Sequence, residues 1–223
     1  MIEHTKEGDL HLITMQADSI CPEWQKQMLD ILDEVAADHK KGTTLILTGL
    51  DKSFCKGLNL QEVMKLSPDE MKLIGKNMKE IHRRMLMLPF PTIAAMNGHA
   101  FAAGAFIAMS LDYRLMREDR GWFCISEVDV GVPIPNAMME MLRGKLPPNT
   151  ARDALLTGKR YGADEAIAAG IADEKASMEN LIEKAKTKAI EFAEKEPSIF
   201  KNIKQTWHKP MADAFEKEIE NNL

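Results

Sequence analysis

The stretch Pro91-Thr92-Ile93-Ala94-Ala95-Met96-Asn97-Gly98-His99-Ala100-Phe101-Ala102-Ala103-Gly104-Ala105-Phe106 predicts a buried strand, a turn and the start of an apolar helix. Residues 91–96 form a short apolar run, which is typical of a strand covered on both faces. Asn97-Gly98 is a turn signal that ends the strand. Residues 102–105 have almost no side chain, so a ligand could approach the first helical amides, which lack partners inside a helix. Close packing of a helix on a sheet also favours alanine and glycine, so both interpretations stay open.

Strands and helices alternate on both sides of this stretch. The pattern predicts a hairpin over residues 1–16, a loop over 51–60, and buried strands at 43–48, 112–116 and 122–125. Helices are predicted at 22–39, 68–88, 103–111, 136–143, 149–157, 163–169, 178–195, 197–208 and 211–221. This alternation implies an α/β fold with a parallel sheet and crossover connections.

The composition is that of an ordinary globular chain. Of its 223 residues 45% are apolar and 28% charged, with a net charge of −5. Lys and Arg are scattered among the acids and no apolar run is long enough to span a bilayer, so neither nucleic acid nor a membrane is an expected partner. Three cysteines without C-x-x-C spacing favour a reducing compartment. Because a secretory leader and a Ser-Lys-Leu ending are also absent, we expect a cytoplasmic location.

Glu127 is a candidate general base. It follows an apolar run and lies between Ile125 and Val128. A carboxylate in such a frame has a raised pKa and can act as a base near neutral pH. A solvated glutamate at a strand end would show the same local pattern. Asp129 would need a kink in the chain to reach the same face.

The loop Ser53-Phe54-Cys55-Lys56-Gly57-Leu58-Asn59-Leu60 is a candidate source of a second backbone donor. It follows a predicted strand, and open α/β sheets bind ligands at the carboxyl ends of their strands. Gly57 permits an unusual turn, so the amide of Cys55 or Lys56 could complete an oxyanion hole. Cys55 could instead be a thiol nucleophile with His99 as its base, or a plain small residue.

Several motifs are absent from the sequence. It contains no G-x-G-x-x-G, no P-loop, no G-x-S-x-G, no H-E-x-x-H and no cluster of metal ligands. We therefore expect neither a cofactor nor a metal.

Three motifs resemble the crotonase superfamily, also called the enoyl-CoA hydratase/isomerase family. Residues 53–60 resemble its S-F-S-A-G-x-D-L loop, residues 91–100 its P-x-I-A-A-x-N-G-x-A segment, and residues 112–114 its C-D-x-R strand. Residues 116–131 are similar to the short 3,2-enoyl-CoA isomerases of plant type. The resemblance implies one domain over 1–223, with a crotonase-like spiral of repeated ββα units to about residue 175. A C-terminal helical region from about residue 176 would then serve packing and trimerisation.

The resemblance also implies a substrate and a site. The substrate is an acyl-CoA thioester, with coenzyme A as part of the substrate. Its thioester oxygen would accept hydrogen bonds from the amides of Lys56 and Ala103. Further substrate-binding residues would be Cys55, Gly57, Asn59, Gly104 and Phe106, with Met64, Met71 and Met78 as possible acyl-pocket residues. Phe215 and Lys217 could help to hold the CoA adenine and phosphate across a subunit boundary.

The residue at position 106 distinguishes between reactions within the family. Hydratases of the family use two glutamates; the first falls at Phe106 and the second at Glu127. One remaining acid implies an isomerase of fatty-acid β-oxidation, in which Glu127 moves a proton from C2 to C4 of a 3-enoyl-CoA. The alternatives are another single-acid reaction on acyl-CoA (hydrolysis, decarboxylation or weak hydration) and a non-catalytic acyl-CoA-binding protein. The resemblance also implies a homo-oligomer, a trimer or a dimer of trimers.

Overall fold

The computed structural model describes residues 1–221, so Asn222 and Leu223 of the predicted domain lie outside the described residues. Its strands are Ile2–Glu7 (β1), Leu10–Met15 (β2), Thr44–Gly49 (β3), Ser53–Cys55 (β4), Thr92–Met96 (β5), His99–Phe101 (β6), Tyr113–Arg117 (β7), Phe123–Cys124 (β8) and Glu174–Ala176 (β9). Its helices are Pro22–Ala37 (α1), Leu60–Val63 (α2), Pro68–Met87 (α3), Ala103–Met109 (α4), Glu127–Val130 (α5), Asn136–Lys145 (α6), Pro148–Thr157 (α7), Ala163–Ala168 (α8), Leu181–Ala193 (α9) and Pro197–Glu220 (α10).

The strands form two sheets that the chain visits in turn. The larger sheet has the order β1-β2-β3-β5-β7-β9, and the smaller has the order β4-β6-β8. Apart from the antiparallel hairpin of β1 and β2, the neighbouring strands are parallel. Each of β3, β5 and β7 is followed by a strand of the smaller sheet and then by a helix. This confirms the predicted α/β spiral of repeated ββα units.

Glycines allow the close turns between the two sheets. A Cβ on Gly49 would lie 2.2 Å from the carbonyl oxygen of Ser53, and one on Gly98 would lie 2.0 Å from that of Lys52. Both distances are too short for any side chain, so the backbones can approach only through glycine. Asn97 joins these turns, because its Oδ1 accepts a hydrogen bond from the Gly49 amide at 3.0 Å.

The structure differs from the predicted elements in its short strands and its last helix. The predicted loop 51–60 contains β4 and part of α2, and β6 and β9 were not predicted. These strands have only three residues each, which is too short for a visible period. The predicted helices 197–208 and 211–221 form one helix, α10, which continues through Pro210. One face of α10 packs on α3 and α6, and this packing offsets the loss of a hydrogen bond at the proline.

Helix α10 is anchored to the larger sheet by an ion pair between a buried lysine and a partly buried aspartate. Nζ of Lys204 lies 2.6 Å from Oδ2 of Asp112 and donates to the carbonyl oxygen of Phe90 at 2.8 Å. Further along α10, the Phe215 ring is fully buried and stacks on His82 at a centroid distance of 5.6 Å. Phe215 is therefore a core residue, and the expectation that it contacts the CoA adenine is wrong.

Candidate active site

An apolar cavity of about 180 Å³ lies between the helices that follow the strands of the spiral. Side chains of α3, α4, α5, α6 and the loop 132–135 line it. The lining residues are Leu58, Ile74, Gly75, Met78, Lys79, Ala103, Phe106, Glu127, Val132, Pro133, Ile134, Pro135 and Met138. Among them Glu127 is the single carboxylate, so this cavity offers one acid to a bound ligand.

Glu127 is the first residue of α5 and is only 8% exposed. Burial raises the pKa of its carboxyl group above the ordinary glutamate value, although the amides of Glu127 and Ser126 oppose the shift. Within the described part of the chain its Oε2 has no hydrogen-bond partner. A buried carboxylate with a free oxygen and a raised pKa is suited to accept a proton from a ligand.

Phe106 lies on α4 and presents a hydrocarbon ring to the same cavity. The ring is 1% exposed and packs edge-on against His82 at a centroid distance of 6.5 Å. A phenyl ring can neither hold a water molecule nor exchange a proton. The wall at Phe106 therefore contributes only apolar surface.

Ala103 brings a backbone N–H group to the cavity. Hydrogen bonding in the first turn of α4 begins with the amides of Ala105 and Phe106, which both donate to the carbonyl oxygen of Ala102. The Ala103 N–H thus has no acceptor inside the helix. Ala102 precedes it with φ 49° and ψ −123°, a backbone conformation that favours glycine. This unusual conformation of Ala102 sets the direction of the N–H group of Ala103, which lines the cavity.

The amide of Lys56 is engaged elsewhere. Its N–H donates to the carbonyl oxygen of Asp18 at 2.6 Å, and its Nζ also lies 2.6 Å from the carboxylate of Asp18. The expectation that Lys56 supplies the second donor is therefore corrected, since a hydrogen already donated to Asp18 cannot bind a ligand.

Leu58 offers the amide that Lys56 does not. On either side of it, the Gly57 carbonyl accepts from Ile20 and the Asn59 amide donates to Ile20, both at 2.8 Å. Successive peptide groups of an extended chain point in opposite directions, so the Leu58 N–H points away from Ile20. Leu58 itself lines the cavity. A Cβ built on Gly57 would lie 3.4 Å from the Ala103 nitrogen, which places this segment directly against the start of α4.

Comparison with known proteins agrees with this fold and geometry. The family model described as "Enoyl-CoA hydratase/isomerase" matches residues 5–223. The chain belongs to the enoyl-CoA hydratase/isomerase family. This result confirms the resemblance that the sequence motifs indicated, and the protein is an enzyme of this family.

Similar members of the enoyl-CoA hydratase/isomerase family carry both reaction names. The chain is 37% identical to enoyl-CoA delta isomerase 3 of Arabidopsis thaliana, over 80% of this chain and 79% of that protein. It is 28% identical to a short-chain-enoyl-CoA hydratase of Clostridium acetobutylicum, over 96% of this chain and 85% of that protein. A crystal structure of an enoyl-CoA hydratase from Mycobacterium marinum superposes with a TM-score of 0.90 at 26% identity, covering 99% of this chain and 97% of that one. The function is thus of the enoyl-CoA isomerase/hydratase type.

Several residues that this family resemblance assigned to substrate binding lie behind the cavity wall. Cys55 is 1% exposed, and burial raises the pKa of its thiol to about 12, which argues against a thiolate nucleophile. Gly104 packs on Cys55, since a Cβ there would lie 2.1 Å from the Cys55 carbonyl oxygen. The Asn59 side chain caps α2 by accepting from the Glu62 amide at 3.4 Å. These three residues, with Gly57, support the site without lining it.

The family motifs did not indicate most of the apolar lining. Met78 lies in the cavity wall as expected, Met71 lines a neighbouring groove, and Met64 is 84% exposed. The loop 132–135 was not expected to take part, because apolar residues in a loop show no period that would identify them, and Met138 on α6 was not singled out either.

Residues 1–221 contain neither a metal-binding cluster nor a membrane-spanning helix. In that range no three His, Cys, Asp or Glu side chains come together as a metal site would require. No helix of the same range is both long and apolar enough to cross a membrane. The expected cytoplasmic location stays a prediction.

Proposed function

We propose that this enzyme isomerises a 3-enoyl-CoA to the 2-enoyl-CoA, with Glu127 as the single acid–base group. The observation that carries the proposal is that Glu127 is the one carboxylate in the lining of a cavity to which Phe106 contributes a hydrocarbon ring. Moving a double bond needs one proton to be removed and one returned, whereas adding water also requires a group that holds the water. The name of the Arabidopsis relatives supports the same reaction.

The proposed mechanism is a proton shuttle. The Glu127 carboxylate takes a proton from C2 of the substrate, and the electrons of the broken C–H bond pass into a dienolate. Its negative charge lies on the thioester oxygen, where the N–H groups of Ala103 and Leu58 donate hydrogen bonds. The protonated Glu127 then returns the proton to C4, which leaves the double bond between C2 and C3. Oxyanion donors of this kind are typically worth 10²–10³ in kcat each, roughly 3–4 kcal/mol.

Burial of Glu127 favours this chemistry. The apolar lining disfavours the charged carboxylate, which makes it a stronger base than an exposed glutamate. The same lining keeps water away from the dienolate, so the proton removed from C2 stays available for C4.

The decisive experiment supplies 3-hexenoyl-CoA and follows formation of the conjugated 2-enoyl thioester. With substrate deuterated at C2, a single-base shuttle transfers part of the label to C4 of the product. No conjugated product at high enzyme concentration would contradict the proposed isomerase activity. Release of free coenzyme A thiol would indicate hydrolysis instead, and loss of carbon dioxide from a suitable substrate would indicate decarboxylation.

We also propose that the enzyme is a homo-oligomer, as the family resemblance implies. Ile199, Ile203 and Trp207 of α10 are 57%, 63% and 68% exposed, which is a large apolar surface for the face of one helix. Light scattering coupled to size exclusion measures the subunit number. Trp207→Asp is expected to lower it, whereas a monomeric wild type would contradict the proposal.

A further inference from the structure

Two cavities meet at helix α3. The inner one is the active-site cavity of about 180 Å³, and the outer one is a groove of about 500 Å³ between α3 and the end of α10. Gly75 and Lys79 line both of them. The wall between the site of chemistry and the protein surface is therefore formed at these two positions.

Gly75 contributes no side chain to this wall. It lies in the interior of a 20-residue helix, where glycine is destabilising relative to alanine. A Cβ added there would meet no atom within 4 Å, so packing does not explain the glycine. A branched side chain such as leucine at this position would project into the space between the two cavities, whereas a methyl group would not fill it.

Lys79 and Glu218 hold the wall in place beside Gly75. Nζ of Lys79 lies 3.6 Å from Oε2 of Glu218, while Oε1 of Glu218 accepts from the Ala137 amide at 2.9 Å. The two side chains are only 7% and 8% exposed, and they connect α3 with α10 and α6. Because such a buried pair is costly to separate, α3 is held in position and does not collapse onto the empty space.

The outer groove offers apolar surface to whatever passes Gly75. Met71 and Leu73 are 43% and 54% exposed, and Ile219 lines the same groove from α10. Lys72 and Lys76 also line this groove, together with the paired Lys79 and Glu218, so apolar and charged side chains share its lining. A flexible hydrocarbon chain fits this surface better than a compact polar group does.

We propose that the tail of a long acyl chain passes Gly75 from the inner cavity into the outer groove, so that Gly75 sets the accepted chain length. This inference rests on the proposed function for the identity of the ligand as an acyl-CoA thioester. The inner cavity holds the carbons next to the thioester, and the groove of Met71, Leu73 and Ile219 holds the distal carbons.

Calorimetry with saturated acyl-CoA esters, which cannot react, tests whether the acyl tail passes Gly75 without relying on turnover. The measured quantity is the ratio of the Kd values for hexanoyl-CoA and tetradecanoyl-CoA. Each methylene that leaves water tightens binding by roughly fourfold, so the wild type is expected to prefer the longer ester. Gly75→Leu blocks this passage and is expected to reduce that preference by at least about tenfold. Gly75→Ala, whose methyl group has open space, is the matched control and keeps the preference.

A second variant guards against misfolding of Gly75→Leu. Leu73→Asp changes an exposed side chain in the groove and is expected to weaken tetradecanoyl-CoA selectively. Ile190→Asp changes a comparably exposed apolar residue on α9, outside the groove, and is expected to leave the ratio as it is. If the ratio of the two Kd values were unchanged in both Gly75→Leu and Leu73→Asp, the acyl chain would not pass Gly75 into the groove. The proposed function would remain intact. Failure of the wild type to bind either ester would overturn both.

Discussion

Glu127 and Phe106 line one cavity from consecutive ββα units, with the carboxylate at the start of α5 and the phenyl ring on α4. The position that shares the cavity with this carboxylate is therefore apolar and buried. A site with this pair can shuttle a proton, but it holds no second acid for a water molecule.

Replacing Glu127 by glutamine removes the base and keeps the shape of the side chain. We expect kcat/KM for 3-hexenoyl-CoA to fall by about 10²–10⁴, because an amide cannot take the proton from C2. Asp129→Asn is the control, since Asp129 is an exposed carboxylate on the same short helix. Wild-type turnover in Glu127→Gln would show that Glu127 is not the base.

The phenyl ring at position 106 predicts poor hydration. With 2-hexenoyl-CoA as substrate, we expect 3-hydroxyacyl-CoA to form at least about 100-fold more slowly than the isomer forms from 3-hexenoyl-CoA, because one acid–base contribution is missing. Product analysis by mass spectrometry measures both rates. Hydration as fast as isomerisation would contradict the role assigned to Phe106.

The raised pKa of Glu127 predicts the acid limb of the pH profile. The base works only when it is deprotonated, so kcat/KM falls as the pH drops through the raised pKa, which lies above the ordinary value of 4.5. A stopped assay over the acid range, with the unfolding of the enzyme followed in parallel, measures this limb. A midpoint at or below the ordinary glutamate value would contradict it.

The raised pKa of Glu127 also predicts that replacing its carboxylate by a neutral group increases the free energy of unfolding near neutral pH. The folded state holds the Glu127 proton more tightly than the unfolded state, so the contribution of Glu127 to the free energy of unfolding decreases as the pH rises from its unfolded to its folded pKa. Glu127→Gln does not titrate and should therefore be stabilised relative to the wild type at about pH 7 more than at acid pH. Urea unfolding at both pH values checks the sign.

Two small residues lie beside the Ala103 amide, and replacing them should have different effects: Gly57→Ala should lower kcat, and Ala102→Gly should raise the free energy of unfolding. Gly57 has φ +93°, and a Cβ there would lie 3.1 Å from the Cβ of Ala102, so Gly57→Ala should displace the oxyanion donors. Loss of one such donor typically lowers kcat by roughly 10²–10³. Ala102→Gly relieves an unfavourable φ of 49° and should raise the free energy of unfolding by about 1 kcal/mol. Steady-state kinetics and urea unfolding of both variants measure these two quantities. A wild-type kcat in Gly57→Ala would contradict the first expectation, and a lower free energy of unfolding in Ala102→Gly would contradict the second.

The Lys204–Asp112 ion pair predicts a large cost for its disruption. Lys204→Met leaves the partly buried Asp112 carboxylate without its cation, and we expect a loss of up to about 3–5 kcal/mol in the free energy of unfolding. Lys209→Met is the matched control on the same helix, where the exposed pair with Asp213 is worth less than about 0.5 kcal/mol. The double change Lys204→Met with Asp112→Asn should recover part of the loss. Equal losses in the two single variants would show that burial of the Lys204 pair does not matter.

Local sequence was sufficient for the longer helices other than α10, which was predicted as two helices. Apolar residues at helical spacing identify α1 through Trp24, Met28, Leu32 and Val35, all of which are buried. The capping box of Ser67 and Glu70 marks the start of α3. Strands of three residues have no such period, and the pairing that forms β9 with β7 comes from a segment far along the chain.

The residue patterns predicted the α/β class, and the motifs that resemble the family predicted the spiral and the two residues of the proposed chemistry, Glu127 and Phe106. These depend on short motifs and periods, which involve neighbours along the chain. Only the tertiary structure decided that Leu58, and not Lys56, turns its amide to the cavity, because hydrogen bonds to Asp18 and Ile20 orient this loop. The meeting of two cavities at Gly75 depends in the same way on the packing of α3 against α10, and contacts between residues so distant in sequence leave no local pattern to predict them.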